Sequence, residues 1–380
     1  MNRDVIKKRI KAIRRELNRK KINCLIVTKP ANVTYTTGFL GDDSWAVITK
    51  ARVYLVTDSR YTEQALNECP HCRIIQRTDS LAKATAKLVK ELKSVQAVTV
   101  EKSISLADFE ELRKHMKAQP RSIADCLETI RSSKAAAEIA AIKAAARVAA
   151  QALRRTLRYI KPGVTESELA GRLDFQIRKL GATNSFETIV AFGPNASRPH
   201  HQPGRKKLKQ KDTVLIDFGV KYKAYCCDIT RCFMLGPPTT FQATAACPPE
   251  ASGRRGSAPT SYKKVYDTVR QAQAAAIKMV KAGIKITQVD AAARQVIDKN
   301  DLPVYGHGTG HGLGLEIHEL PFLKADSKAE KLEAGQVITI EPGVYIPGKI
   351  GVRIEDDVLV TKTGCRVLTR RCPHSPLLPG

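Results

Sequence analysis

The chain of 380 residues is long for one domain, and with 43% apolar residues it can build two cores. Its 27% charged residues exclude neither class of folded protein but do exclude a disordered chain or a fibre, and its ten cysteines are too dispersed for a disulfide miniprotein. The net charge of +27 favours an anionic partner in principle, yet the cations are spread along the chain, the densest cluster being 205–211. One Trp, ten Tyr and nine Phe form no stacking motif, so a nucleic-acid partner is not expected. There is no run of about 18 apolar residues, and the N-terminus has no apolar signal core. These features predict a cytoplasmic protein with reduced thiols and no membrane span. Cys69-Pro70-His71-Cys72 has CxxC spacing, but a zinc site would need a second such pair.

In chain order, Ile6, Ile10, Ile13 and Leu17 line one face of a first helix. A strand is expected at 24–27, a turn-rich stretch at 32–44, and paired strands at 45–49 and 53–57. A helix from about Tyr61, a strand at 73–75, a helix over 81–92 and a strand at 97–100 complete an α/β domain spanning 1–127. A link near 130–133 leads to a second domain over 134–370. It opens with an Ala-rich helix over 135–160, stopped by Pro162-Gly163. Thr165 and Glu168 form a capping box for a helix that closes near Gly181. Strands follow at 188–191, 213–219 and 222–234, the last two read as a hairpin turning at Gly219-Val220-Lys221. Helices over 262–282 and 286–300 precede a second strand pair, 337–341 and 352–360. The Pro/Ser/Thr/Ala-rich segment 237–261 reads as a flexible insertion, and 371–380 as a disordered tail.

Four acids sit in apolar strand contexts. Asp217 lies in Leu215-Ile216-Asp217-Phe218 and Asp228 in Cys227-Asp228-Ile229-Thr230, which a hairpin places side by side. Glu341 follows Ile338-Thr339-Ile340, and Glu355 follows Val352-Arg353-Ile354. A buried, unpaired carboxylate is costly, and neighbouring ones repel unless a shared cation neutralises them. Any one alone reads as a salt-bridged or strand-end acid, but four together have the donor set of a binuclear metal site. Oxygen ligands favour Mn²⁺, Mg²⁺ or Ca²⁺, and one imidazole shifts the choice toward Mn²⁺, Fe²⁺, Co²⁺ or Zn²⁺. Imidazoles are at hand in His200-His201 and in a Gly-rich run holding His307, His311 and His318. Its glycines keep the backbone close to whatever the histidines bind.

These residues, in this order, resemble the metallopeptidases of the pita-bread fold, in the branch of Xaa-Pro aminopeptidases and Xaa-Pro dipeptidases (prolidases). The likeness covers nearly the whole chain. It rests on Asn32-Val33-Thr34-Tyr35-Thr36-Thr37-Gly38-Phe39 and Thr57-Asp58-Ser59-Arg60-Tyr61 in the first half. In the second half it rests on Pro199-His200-His201, the two Asp segments, Gly308-Thr309-Gly310-His311 and the two Glu segments. The resemblance implies a creatinase-like α/β N-terminal domain and an α+β pita-bread catalytic domain. It implies Asp217, Asp228, His311, Glu341 and Glu355 as ligands of two divalent metals, with Asp228 and Glu355 bridging. Mn²⁺ is the metal expected first, with Co²⁺ and Zn²⁺ as alternatives. His200 and His318 match catalytic histidines, Glu341 a catalytic proton acceptor, His307 a pocket histidine, and Arg353 an arginine toward the substrate's carboxyl side.

The implied reaction is hydrolysis of the Xaa-Pro bond at a peptide N-terminus by a hydroxide held between the two cations. The implied partners are a proline-containing peptide and a second copy of the chain in a homodimer. Lys211, Ala224 and Cys227 stand where the family usually has Gly, Gly and Ser, a departure expected to tune activity without abolishing it. An Xaa-Pro dipeptidase is the alternative activity. A non-catalytic pita-bread module binding peptide, protein or nucleic acid is the rival from another class. Methionine aminopeptidases share the catalytic half without this N-terminal domain, and creatinases share both domains without the metal ligands.

Overall fold

The computed structural model of the protein describes residues 3–92, 95, 97–117, 119–235, 240–242, 259–327, 331–373 and 377–378. The chain divides into two compact units, Met1–Arg131 and Ser132–Gly380.

The first unit is built on a six-stranded mixed sheet in the order Arg73–Gln76, Val53–Thr57, Trp45–Thr49, Cys24–Val27, Thr99–Glu101, Arg121–Ile123. Trp45–Thr49 is antiparallel to both neighbours, and the other pairs are parallel. Its three central strands are buried at every position, which is why they read as continuous apolar runs. Helix Arg3–Arg19 buries Ile6, Ile13 and Leu17. The stretch expected as turns begins instead as a helix, Pro30–Thr37. Pro30 in its first turn and Gly38 at φ +79° set its limits. Five of its eight residues, from Asn32 to Thr37, are buried, so no polar face gives it a helical period. Helix Leu106–Lys114 and strand Arg121–Ile123 also lie outside the expected elements.

Two sheets of the second unit carry the residues of interest. In one, Thr213–Tyr222 pairs with Tyr225–Leu235 on one side and with Thr183–Asn184 and Ile189–Phe192 on the other. Helices Ala136–Leu157 and Glu166–Lys179 contribute Ala149, Leu153, Leu169 and Leu173 to a core with Ile216 and Phe218 of this sheet. The other sheet is wholly antiparallel, in the order Glu319–Leu323, Gly310–Gly312, Val337–Ile340, Asp356–Val360, Cys365–Val367. Helices Tyr262–Met279 and Ile286–Lys299 pack Val265, Val269 and Val289 with its Ile338 and Val358. The capping box forms as read: Thr165 N donates to Glu168 Oε2 at 2.8 Å, and Glu168 N to Thr165 Oγ1 at 3.1 Å.

Three local expectations need correction. The hairpin turns at Lys223-Ala224, because Tyr222 pairs with Tyr225 and the two residues between them have φ of 51° and 71°. Both fall in the left-handed region of a type I′ turn, which Asn-Gly would announce and Lys-Ala does not. Gly219 is a mid-strand residue, where a Cβ would lie 1.9 Å from Ser185 Oγ. The strand read over 352–360 is two: Ile350–Arg353 forms a separate hairpin with Gly343–Ile346, while Asp356–Val360 pairs with Val337–Ile340. The tail read as disordered is held in place at 371–373, where Cys372 is buried in the core and Arg231 Nε donates to Pro373 O at 3.0 Å. Leu377–Leu378 pairs in parallel with Met234 and Leu235. Most of 237–261 lies outside the described residues, and its ends, Thr240–Gln242 and Pro259–Ser261, pair antiparallel. Among the described residues, no helix is long and apolar enough to cross a membrane.

Candidate metal centre and substrate cleft

The five residues read as ligands converge. Asp217 faces Thr230 and Asp228 faces Gly219 across the hairpin, so alternation puts both carboxylates on one face of the sheet. From the second sheet, His311 comes from the short strand Gly310–Gly312, and Glu341 directly follows Val337–Ile340. Glu355 occupies the break between Ile350–Arg353 and Asp356–Val360. Backbone approach around His311 is tight: a Cβ at 310 would meet Thr339 O at 2.0 Å, so glycine is required there. The sheets are tied beside the cluster by Cys226 N donating to Gly314 O at 2.7 Å and Glu355 N to Thr230 O at 3.2 Å. Asp228, His311 and Glu355 each offer one donor atom within 4.8 Å of the others. His311 Nε2 is 3.6 Å from Asp228 Oδ2 and 3.5 Å from Glu341 Oε1.

This gathering is electrostatically unfavourable by itself. Burial, with the charges of Glu355, Asp217 and Glu341, pushes the Asp228 carboxyl well above the usual range. Burial, with Glu341 and Asp217, does the same to Glu355. Burial raises Glu341 to about 7 against the pull of Arg353. Burial lowers His311 to about 4, so its imidazole is neutral at pH 7. Its Nδ1 lies 3.1 Å from Gly312 O and must carry the hydrogen, which leaves the Nε2 lone pair facing Asp228 and Glu341. Oδ1 of Asp217 and Oδ1 of Asp228 are buried without a hydrogen-bond partner. Lone pairs that converge with no donor between them are what a divalent cation satisfies, so the residues present fit a metal centre.

Surrounding groups orient the cluster. Arg353 Nη2 bonds Asp217 Oδ2. Thr230 Oγ1 donates to Glu355 Oε2 at 2.6 Å while accepting from Arg353 Nε at 3.2 Å. Asp228 N donates to the Asp357 carboxylate at 3.3 Å. Arg231, itself buried, donates to Glu355 O at 2.5 Å and to Asp356 Oδ1 at 2.7 Å.

The cluster lies in the wall of a cleft of about 530 Å³, a size that suits a small peptide. His200 and His318 line it and are exposed, and His318 stands edge-on to His311 with ring centroids 4.3 Å apart. The residue after His200 in sequence, His201, is buried with Nε2 at 2.9 Å from Glu166 Oε2. The two adjacent histidines therefore have different work, one at the cleft and one holding its loop. His307 Nδ1 lies 2.7 Å from Gly308 O and takes the hydrogen, so Nε2 accepts from Tyr345 Oη at 3.0 Å. Tyr345 Oη accepts in turn from Arg353 Nη1 at 2.7 Å. Arg353 lines the cleft, but it is buried and its nitrogens are engaged by Asp217, Thr230, Tyr345 and Pro199 O. It is placed to balance the acidic cluster.

Residues 140–362 match metallopeptidase family M24, and residues 9–133 match the creatinase/prolidase N-terminal domain. The chain belongs to metallopeptidase family M24. It is a metallo-exopeptidase with the pita-bread architecture, in a family that depends on a dinuclear metal centre. YqhT of Bacillus subtilis (strain 168), an uncharacterized peptidase, is 36% identical over 358 residues, covering 93% of this chain and 94% of YqhT. Among solved structures, an Xaa-Pro dipeptidase from Bacillus anthracis matches with a TM-score of 0.87 and 34% identity, covering 98% of this chain and 100% of that one. An X-Pro aminopeptidase from Thermotoga maritima MSB8 matches with a TM-score of 0.82 and 32% identity, covering 96% and 100%. A prolidase from Pyrococcus horikoshii OT3 matches with a TM-score of 0.83 and 28% identity, covering 97% and 99%.

Sequence reasoning missed several groups that shape this M24 site: Tyr345, Thr230, Arg231 and Asp357. One signal was available. Asp356 and Asp357 follow Glu355 directly, and three consecutive buried acids, the last two in a strand buried at every position, require internal partners. Tyr345 gives no such signal, because its link to Arg353 exists only through the hairpin register, in which Gly343 faces Arg353.

Proposed function

We propose that this M24 peptidase removes the N-terminal residue from peptides with proline in second position, as an Xaa-Pro aminopeptidase. The observation that carries the reading is the buried cluster of four carboxylates and a neutral imidazole sharing one cleft with His200, His307 and His318. Asp217, Asp228, His311, Glu341 and Glu355 would hold two divalent cations, Mn²⁺ first and Co²⁺ or Zn²⁺ as alternatives. When bound, they supply a Lewis acid for the scissile carbonyl and a water-derived nucleophile at neutral pH. Glu341 takes the proton of the attacking water and passes it to the proline nitrogen as that nitrogen leaves. His200 and His318, exposed in the cleft, donate hydrogen bonds as negative charge builds on the carbonyl oxygen. Arg353 and Thr230 hold Asp217 and Glu355 in place and act on the reaction only through them.

The cleft wall at His200, His318 and Phe322 is open to solvent, which favours peptides that extend beyond proline. A dipeptidase is the second reading, supported by the likeness to the Bacillus anthracis and Pyrococcus horikoshii enzymes. We read the protein as a cytoplasmic homodimer: nine free cysteines among the described residues support the cytoplasm, and the family resemblance supports the dimer. The test is product release from Ala-Pro-Ala, Ala-Pro and Ala-Ala-Ala by Mn²⁺-loaded and chelated protein, followed by mass spectrometry. Cleavage of the first bond of Ala-Pro-Ala, lost on chelation and absent with Ala-Ala-Ala, is expected. A preference for Ala-Pro would replace this reading by the dipeptidase. Inertness toward both proline substrates, in protein holding two metals per chain, would overturn it.

A further inference from the structure

A second concavity lies in the first unit, a groove of about 1090 Å³. Helix Arg3–Arg19 lines it with Lys7, Lys8, Lys11, Arg14 and Arg15, a stripe at helical spacing. Arg52, in the turn after Trp45–Thr49, and Arg73, at the start of Arg73–Gln76, line it from other elements. Six of these seven cations are exposed, and Arg14 is partly buried with its Nε donating to Thr49 O at 3.1 Å. No carboxylate is among the described lining residues. In sequence these positions are scattered between residues 7 and 73, and folding collects them. Seven like charges around one groove, with no acid among them, concentrate a positive field that attracts an anion.

We propose that this groove binds the sugar–phosphate backbone of single-stranded nucleic acid without reading its sequence. Four of the seven cations are arginines, whose planar fork matches phosphate oxygens in bidentate geometry. From Lys7 to Arg15 the helix advances about 12 Å, enough to follow a short run of backbone phosphates. His71 is the only aromatic ring among the described lining residues, so base stacking is minor and the contact is to the backbone. A flat bilayer would reach only the rim of a groove. An acidic peptide would need partners for its backbone N–H and C=O groups as well as charge, and besides the cations only Asn18 and His71, among the described residues, line the groove with a nitrogen or oxygen in the side chain.

The test uses the full chain and a fluorescent single strand of about 15 thymidines, with anisotropy measured across a salt series. Five to seven phosphate contacts predict a slope of log K against log salt of about −4 to −5. The variant Lys7→Gln/Lys11→Gln/Arg15→Gln should reduce the slope by about 2 and weaken binding at least ~tenfold at low salt. Arg52→Ala/Arg73→Ala should weaken it by a similar route from the opposite side. Lys179→Gln/Lys278→Gln/Lys299→Gln removes three exposed charges from helices of the second unit and should leave both quantities unchanged. Fluorescence of Trp45, buried in the first unit, verifies that the variants are folded. Equal losses in the groove and control variants would reduce the binding to net charge and overturn the proposal. So would tighter binding of polyglutamate or of phosphatidylserine vesicles than of the strand.

Discussion

Replacing Asp228 by Asn should make the metal-free protein more stable while destroying its response to metal. Donor atoms of Asp228 and Glu355 lie within 4.8 Å, so two charges there repel by about 3.5 kcal/mol at an effective dielectric near 20. Burial and the charges of Asp217 and Glu341 add to this repulsion, and taking up a proton, at about 1.4 kcal/mol for each pH unit above 3.8, caps the cost at about 6 kcal/mol at pH 8, so the pair repulsion sets the lower end of the scale. His311 offers Asp228 no compensating ion pair, because burial holds it at about 4 and therefore neutral. The isosteric amide removes the repulsion and keeps the shape. At about 2–4 °C per kcal/mol for a unit of this size, the second unit should melt about 7–14 °C higher in the variant without metal. Wild type should gain about 2.7 kcal/mol from Mn²⁺ at 100 times its Kd, and the variant should gain nothing at that concentration. Calorimetry on chelated and Mn²⁺-loaded proteins at pH 8 measures all four states. A metal-free variant that melts below wild type, or equal stabilisation of both by Mn²⁺, would refute the reasoning.

Three further outcomes are expected. Lys211 and Ala224 hold φ of +69° and +71°, where a Cβ costs about 1 kcal/mol, so Lys211→Gly and Ala224→Gly should each raise stability by about that amount in urea unfolding; a loss would mean that the side chains contribute more than the backbone strain. Glu341→Gln should lower kcat about 10²–10⁴-fold on Ala-Pro-Ala while circular dichroism shows the fold intact, and near-normal turnover would remove Glu341 from proton transfer. In the first unit, burial raises Glu101 to about 7 even though Thr28 N, Lys29 N and Asn32 Nδ2 donate to it. A carboxyl raised on folding keeps a proton that the unfolded chain releases above pH 4.5, so its contribution is full below 4.5 and is lost as pH rises through about 7. The stability difference between wild type and Glu101→Gln should therefore shift by about 3 kcal/mol across that window, read from Trp45, the one tryptophan; a constant difference would contradict it.

The site was legible where a polar residue violated its surroundings. Asp217 and Asp228 stand out because strands buried at every neighbouring position leave an acid no solvent, and hairpin pairing then brings them together. The Gly-rich run around His311 announced close backbone approach, and the structure shows it at Gly310. What stayed hidden depends on geometry that composition does not encode. Helix Pro30–Thr37 is short and largely buried, so its period carries no signal. The Lys223-Ala224 turn takes left-handed backbone without the residues that normally permit it. Glu341 and Glu355 lie just outside strands, because a hairpin from Gly343 to Arg353 interrupts what reads as one connection. The bond of Arg353 to Asp217 spans 136 residues and arises only when the two sheets meet.

If the buried acids and His311 form a catalytic binuclear centre, titrating Mn²⁺ into chelated protein should restore cleavage of Ala-Pro-Ala in step with bound metal. Activity that is absent without metal, rises with binding and saturates at two ions per chain is the result predicted. Cleavage that persists in metal-free protein, or two bound ions with no cleavage of any Xaa-Pro peptide, would contradict it.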